Sequence, residues 1–160
     1  MHRTATSLVQ LAIDHSGGVT LDGPRVALKF MRNVEQYKRE VDIRTREMFN
    51  ERFVIPIITH YNGYASGDNV LFRNDAVEKG YGDYPYCVVM EAASSDLKQI
   101  VDRCNFAGKD WDEIKRMARQ LATALVHVHD RGIVHGDLKR EYRVLSLFLK
   151  MILFLCLLQH

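Results

Sequence analysis

Side chains able to do chemistry gather at three places in this sequence. Ile133 to Lys139 reads I-V-H-G-D-L-K, which sets one carboxylate, Asp137, between His135 and Lys139, just past a segment that reads as an amphipathic helix emptying into a turn. Val26 to Lys29 reads V-A-L-K, a strand-like run that would hold a lysine at a fixed place on a sheet. Glu40 follows eleven positions later inside a helical pattern. A fixed cation is what phosphate chemistry needs, but V-A-x-K alone is a weak signal, and an exposed strand lysine is the plainer reading. An isolated His135 would likewise be an ordinary packed histidine, and a single glutamate on an amphipathic helix is by default a solvated one. Thiol and metal chemistry are not suggested. Cys87, Cys104 and Cys156 are odd in number and widely spaced, with no C-x-x-C and no histidine at metal-ligand spacing. A reducing cytosol is the default for such cysteines.

Together these pieces stand in the order of the eukaryotic protein kinase family, and the resemblance runs from about Ser7 to Lys139. The run I-x-x-x-A-x-Q-L-A-x-A-L-x-x-V-H-D-R-G-I-V-H-G-D-L-K, from Ile114 to Lys139, is close to the family without a break. Its end resembles the catalytic loop, in which the Asp accepts the proton of the substrate hydroxyl, so the resemblance implies Asp137 as the base. Lys139 resembles the Ser/Thr-type loop, where that lysine approaches the transferring phosphate. V-A-L-K resembles V-A-I-K, whose lysine contacts the α- and β-phosphates, which implies that role for Lys29. Glu40, in R-E-V-D-I, resembles the helical glutamate that holds this lysine, with Glu47 as the competing choice. Tyr86 to Ala93, Y-C-V-V-M-E-A-A, resembles the strand and hinge between the two lobes, with Met90 gating the back of the pocket and the Glu91 carbonyl and Ala93 amide pairing with adenine. The nucleotide contacts so implied are Ala27, Lys29, Met90, Glu91 and Ala93. ATP is the implied cofactor, magnesium the family's metal, and a protein bearing Ser or Thr hydroxyls the implied substrate.

Three departures limit the resemblance. The magnesium-binding Asn should fall at position 142, where the chain has Tyr142, and no Asp follows Asp137 in these residues to head a D-F-G. Both usual magnesium ligands are therefore missing, and no residue is assigned to metal. Gly136 replaces the family's Arg, removing a guanidinium that could pair with an activation-loop phosphate. No G-x-G-x-x-G precedes the second strand, so the phosphates lack their usual backbone cover. Electrostatic stabilisation is usually the largest catalytic contribution, so negligible phosphoryl transfer is expected from this chain. The alternatives are a pseudokinase-like binding fragment and a nonfunctional truncated product.

The elements that must position these residues are legible as patterns. Ser7 to Asp14 alternates like a strand, His15 to Pro24 is dense in turn signals, and Arg25 to Met31 returns as the second arm of a hairpin. A helix follows with Val34, Tyr37, Val41 and Met48 near one face. Phe53 to Ile58 reads as a strand whose Pro56 belongs at an edge or bulge. Tyr61 to Pro85 reads as a loop with a short strand near Val70 to Phe72. Tyr86 to Glu91 reads as a strand, and Asp96 to Val101 as a short helix capped by Ser94, Ser95 or Asp96. From Trp111, the recurrence of Ile114, Met117, Leu121, Leu125 and Val128 gives the clearest helix, ending near Gly132.

Strands first and helices afterwards predict an α+β fold, protein-kinase-like and incomplete. A β-rich N-terminal lobe would span about 7–91 and a hinge about 91–95, with the first helices of the helical C-terminal lobe at 96–139. Residues 140–160 form an apolar tail unlike the family. Val144 to Leu158 is broken only by Ser146 and Lys150, and at about 1.5 Å per residue would span roughly 22 Å, short of the ~30 Å hydrocarbon core. A spanning helix is not expected. A buried or interfacial helix and a reading-frame accident are the competing readings, with membrane contact as a lesser one. The net charge of +2 has no basic cluster behind it, which gives no case for nucleic acid. The N-terminus has no continuous apolar core of a secretory signal, so the expected location is cytoplasmic.

Overall fold

A computed structural model describes residues 2–3, 6–14, 23–45, 49–93, 95–96, 102, 108–134 and 143–144. The chain divides into two units, one made of 1–45 and 56–92 and the other of 46–55 and 93–160.

The first unit is built on an antiparallel sheet. Its strands are β1 (His2–Arg3), β2 (Ser7–Ile13), β3 (Arg25–Met31), β4 (Ile57–Asn62) and β5 (Tyr86–Glu91), in the order β1-β2-β3-β5-β4. β2 and β3 are the two arms of the expected hairpin, and the Asp14 amide donates to the Pro24 carbonyl at 2.9 Å where they meet the turn. Gly23 is needed there because a Cβ would collide with the Asp14 carbonyl oxygen. Residues 15–22 lie outside the described residues. The strand period of two sends Val26 and Phe30 into an apolar cluster with Leu8, Tyr84, Cys87 and Val89. Ala27, Lys29 and Met31 alternate onto the other face and are buried there.

Helix α1 (Val34–Thr45) covers that second face, packing on β3, β4 and β5. Asn33 caps it, its Oδ1 accepting the Glu35 and Gln36 amides at 2.8 and 3.0 Å. The sequence placed Val34, Tyr37, Val41 and Met48 on the packed face. In the structure the buried residues are Tyr37, Glu40, Ile43 and Arg44, Val34 and Val41 are half-buried, and Met48 is outside the described residues. A hydrophobicity count could not foresee a packed stripe that includes two charges, because those charges are buried by pairing rather than by apolarity. Tyr37 fixes the helix to the sheet: its ring stacks on Tyr86 at 5.0 Å and its hydroxyl meets His60 Nδ1 at 2.8 Å.

Two sequence expectations in this unit are corrected. The strand expected over 53–58 runs instead over Ile57–Asn62, on the sheet edge, with an irregularity between Ile57 and Thr59. Pro56 offers no amide to the ladder, and the Phe53 and Val54 amides turn back to the Asn50 carbonyl. The loop expected over 61–85 contains helix α2 (Asp68–Glu78) in place of a short strand near 70–72. Gly63, Gly67, Gly80 and Gly82 flank this helix rather than interrupt it, so their density marks its boundaries. α2 has little amphipathic pattern; tertiary contacts hold it, with Ala76 buried and Phe72 stacked on Tyr61 at 4.8 Å and on Phe30 at 6.0 Å. Each such ring pair is worth about 0.5–1.5 kcal/mol beyond area burial. Phe72→Ala is therefore expected to cost about 1–3 kcal/mol and to raise amide exchange over 68–78 before the sheet opens. Hydrogen exchange that leaves this segment as protected as in the wild type would contradict that role.

The second unit contains helix α3 (Trp111–His129), the most strongly patterned element of the sequence. Asp110 caps its start, Oδ1 accepting the Glu113 amide at 2.9 Å. Met117, Ala124 and Val128 are buried, with Ile114, Leu121 and Leu125 half-buried beside them. Its end is a left-handed cap at Gly132, φ 72°, where the Ile133 amide reaches the Val128 carbonyl at 3.1 Å and the Gly132 amide reaches that of His129 at 2.9 Å. His127 holds the 49–55 segment to this helix. Its Nε2 accepts the Asn50 amide at 3.1 Å and its ring lies 4.9 Å from that of Phe53. Burial and the Arg131 charge push the imidazole below its usual pKa, against a smaller opposing effect of Asp130, which favours the neutral, accepting form.

Of the short helix expected over 96–101, only the first residue lies among the described ones, and there the expectation is corrected. Ser95–Asp96 is a strand, β6, paired antiparallel with β7 (Arg143–Val144), so residues assigned to the tail supply its partner. Extended pairing captures the backbone that a cap at Ser95 or Asp96 would have turned. Ser94 and 97–101 lie outside the described residues, as does the tail beyond Val144. Among the described residues no helix is long and apolar enough to cross a membrane.

Candidate functional site

Lys29, Glu40 and Arg44 are the charged side chains buried among the described residues, at 4%, 3% and 6% exposure. Lys29 sits mid-strand, paired to Val9 of β2 and Val88 of β5, so its backbone is fixed from both sides. Glu40 lies two turns into α1 and divides its carboxylate: Oε1 takes the Lys29 ammonium, and Oε2 accepts Arg44 Nε at 2.9 Å. Burial alone would raise the Glu40 carboxyl, but the Lys29 and Arg44 charges and their hydrogen bonds outweigh it and hold the carboxyl below its ordinary value. Glu40 is thus a buried carboxylate with cations on both oxygens.

The neighbouring surface is apolar. Met90 is wholly buried in β5, between Ala27 of β3 and Ile57 of β4. Ala27, Lys29 and Met90 share one sheet face. Glu91 ends the strand opposite Val26 with its side chain exposed, and the Ala92 amide donates to the Arg25 carbonyl at 3.0 Å. Burial pushes the Cys87 thiol well up, so it is an inert core residue. The arrangement is a rigid buried ion pair beside an apolar stretch of the same sheet face.

Comparisons with known proteins identify the scaffold. The chain is 29% identical over 131 residues to the probable serine/threonine-protein kinase fhkB of Dictyostelium discoideum, covering 81% of this chain and 10% of that protein. It is 25% identical over 130 residues to the dual specificity protein kinase CLK4 of Homo sapiens and 29% identical over 134 residues to CLK2 of the same organism, covering 81% of this chain and 24% and 23% of those proteins. This chain carries part of a protein kinase domain. No family model matches it. The chain spans between about a tenth and a quarter of the length of these relatives.

Within this kinase domain, the residues singled out from sequence fall into two sets. Lys29 and Glu40 meet in an ion pair, and Ala27 and Met90 lie across from one another on neighbouring strands. Ala93, buried, belongs to the second unit, and Glu91 to the first. Asp137 and Lys139, like His135, Gly136 and Tyr142, lie outside the described residues, as does Glu47, the competing partner for Lys29. Sequence reading missed Arg44. The signal was present, since position 44 is four residues from Glu40 and so faces the same side of the helix.

Proposed function

We propose that this chain binds ATP on the sheet face carrying Ala27, Lys29 and Met90, with Lys29 at the α- and β-phosphates and Glu40 holding Lys29 in place. Adenine would pair with the Glu91 carbonyl and Ala93 amide, and Met90 would close the back of the pocket. The observation that carries this reading is the buried Lys29–Glu40 pair, because burying a lysine mid-strand on a glutamate costs desolvation that an ordinary surface lysine avoids. The activity of the family to which this domain belongs is phosphoryl transfer from ATP to Ser or Thr hydroxyls of proteins, with Asp137 as base and Lys139 beside the transferring phosphate. The boundaries proposed are an N-terminal lobe at about 7–91, a hinge at 91–95, the start of the helical lobe at 96–139 and an apolar tail at 140–160, in a cytoplasmic protein.

Magnesium does not fit the residues at hand. Counted along the motif, Tyr142 stands at the sequence position of the family's Asn, and phenols are poor ligands for a hard cation at neutral pH. A polypeptide of these 160 residues is therefore expected to bind nucleotide without transferring its γ-phosphoryl group. ATP titrated calorimetrically into the full chain should bind saturably, and Lys29→Met should weaken it by about tenfold or more. Incubation with labelled ATP and myelin basic protein should leave the protein unlabelled. A cooperatively folded chain that ignores millimolar ATP would refute the binding reading. Transfer that disappears in Asp137→Asn would refute the inactive one.

A further inference from the structure

α2 has two faces of different character. Phe72 and Ala76 pack inward, whereas Val70, Arg73, Asn74, Val77 and Glu78, at three- and four-residue spacing, share an outer face. With the turn that carries Tyr64, this outer face borders an open groove of about 670 Å³. Tyr64 is 70% exposed, Val77 58% and Val70 47%, so three large hydrophobic side chains stand together in water. Two charges stand among them. Arg73 lies over the Tyr64 ring, 5.8 Å from its centroid, which holds the guanidinium at the groove and leaves its N–H donors open. Among the described residues no carboxylate pairs with Arg73 and no cation pairs with Glu78. We propose that this groove is the contact between two copies of this chain, in a two-fold dimer whose α2 helices pack antiparallel.

A second copy is singled out by self-complementarity. In a two-fold contact, whatever one residue of the first copy meets in the second, its counterpart in the second meets in the first. With the axis crossing α2 between Asp75 and Ala76, Arg73 of each copy faces Glu78 of the other, and Asn74 faces Val77. One pairing thus matches both charges twice and covers the valines between them. Parallel helices would set Arg73 against Arg73 and Glu78 against Glu78, so the charges also select the direction of packing. A small anion would match Arg73 but leave Glu78 and both valines uncovered. The outer face of an eleven-residue helix is smaller than a permanent interface needs, so the dimer is weak and exchanges readily. This contact is independent of the proposed ATP site, since none of the groove residues belongs to it.

Sedimentation velocity of the full chain, from low micromolar to near-millimolar concentration, should show a reversible monomer-dimer equilibrium. Arg73→Glu and Glu78→Arg should each weaken the dimer by about tenfold or more, because each turns two attractions into two repulsions. Mixed in equal amounts, the two variants should form a heterodimer about as tight as the wild-type dimer. The double variant Arg73→Glu, Glu78→Arg should recover self-association. Both side chains are exposed, so every variant should melt with the wild type, which separates loss of the contact from loss of the fold. A wild-type chain that stays monomeric across this range overturns the proposal and leaves the groove to another occupant. Association that runs past the dimer, or that neither single variant changes, overturns it too, since it would then be nonspecific burial of apolar surface. So does a mixture of the two variants that associates no better than either alone, because Arg73 and Glu78 would then not be meeting across the axis.

Discussion

Replacing Glu40 by glutamine should destabilise the first unit more than any other single change in the site. The substitution keeps the shape and leaves two buried cations facing an amide. Removing one member of a buried ionic cluster costs about 3–5 kcal/mol, because the partners stay desolvated without compensation. For a domain whose whole stability is about 5–15 kcal/mol this is a large fraction. The melting temperature should fall by roughly 6–20 °C at about 2–4 °C per kcal/mol. The triple replacement Lys29→Met, Glu40→Leu, Arg44→Met removes the charges together. It should be closer to wild type in stability than Glu40→Gln, because the carboxylate is removed together with both cations it holds.

The same cluster sets an acid limit. The Glu40 carboxyl is held below 4.5, so between its native and unfolded values the unfolded chain binds more protons and stability rises with pH. Its contribution is fully present above about pH 4.5 and is lost as pH falls through the native value. Urea midpoints measured from pH 7 down to pH 3 should therefore fall more steeply for wild type than for Glu40→Gln. Parallel pH curves would mean that the Glu40 carboxylate contributes nothing to stability, whatever its contacts.

Met90→Ala is the second large effect. The side chain is wholly buried at the centre of the sheet, opposite Ala27 and Ile57. Truncation of such a residue costs about 2–5 kcal/mol, the transfer energy of the lost atoms plus the cavity they leave. β5 is hydrogen-bonded on both sides, which limits relaxation into the void and favours the upper part of that range. Met90→Leu, close in volume, should cost less than about 1.5 kcal/mol. Urea unfolding should show a lower midpoint for the alanine variant with an unchanged slope. An alanine variant within experimental error of wild type would mean that the packing around position 90 collapses freely.

Strands 7–13 and 25–31 and the helix from Trp111 were readable from the sequence because each carries its own period, and strand 86–91 because of its strand-like composition. A two-residue alternation or a three-to-four-residue recurrence is a local record of which side faces a core. The order of strands then helices, with V-A-L-K ahead of a helical glutamate, was enough to indicate an α+β kinase-like domain. The helix over 68–78 was not readable. It lacks a strong apolar face and is held by Phe72 against aromatic rings from β3 and β4, with Ala76 buried as well. The start of β4 after Pro56 and the pairing of Ser95–Asp96 with Arg143–Val144 were hidden for the same reason, since a ladder is a property of two segments.

The sequence by itself determined the types and spacing of the residues in the site: a strand lysine, a glutamate eleven positions on, a buried methionine and alanine sixty-three apart in the chain, and a tyrosine where a metal ligand was expected. Only the tertiary structure decided that Glu40 is shared. Helical spacing allows Arg44 to reach Glu40, but it equally allows both to point into water. It is the packing of α1 on β3 and β5, fixed by Tyr37 on Tyr86 and His60, that buries the carboxylate and makes two cations compete for it. Burial converts a pattern of charges into an energetic constraint, because solvent screening is lost only when the surrounding chain has closed over it.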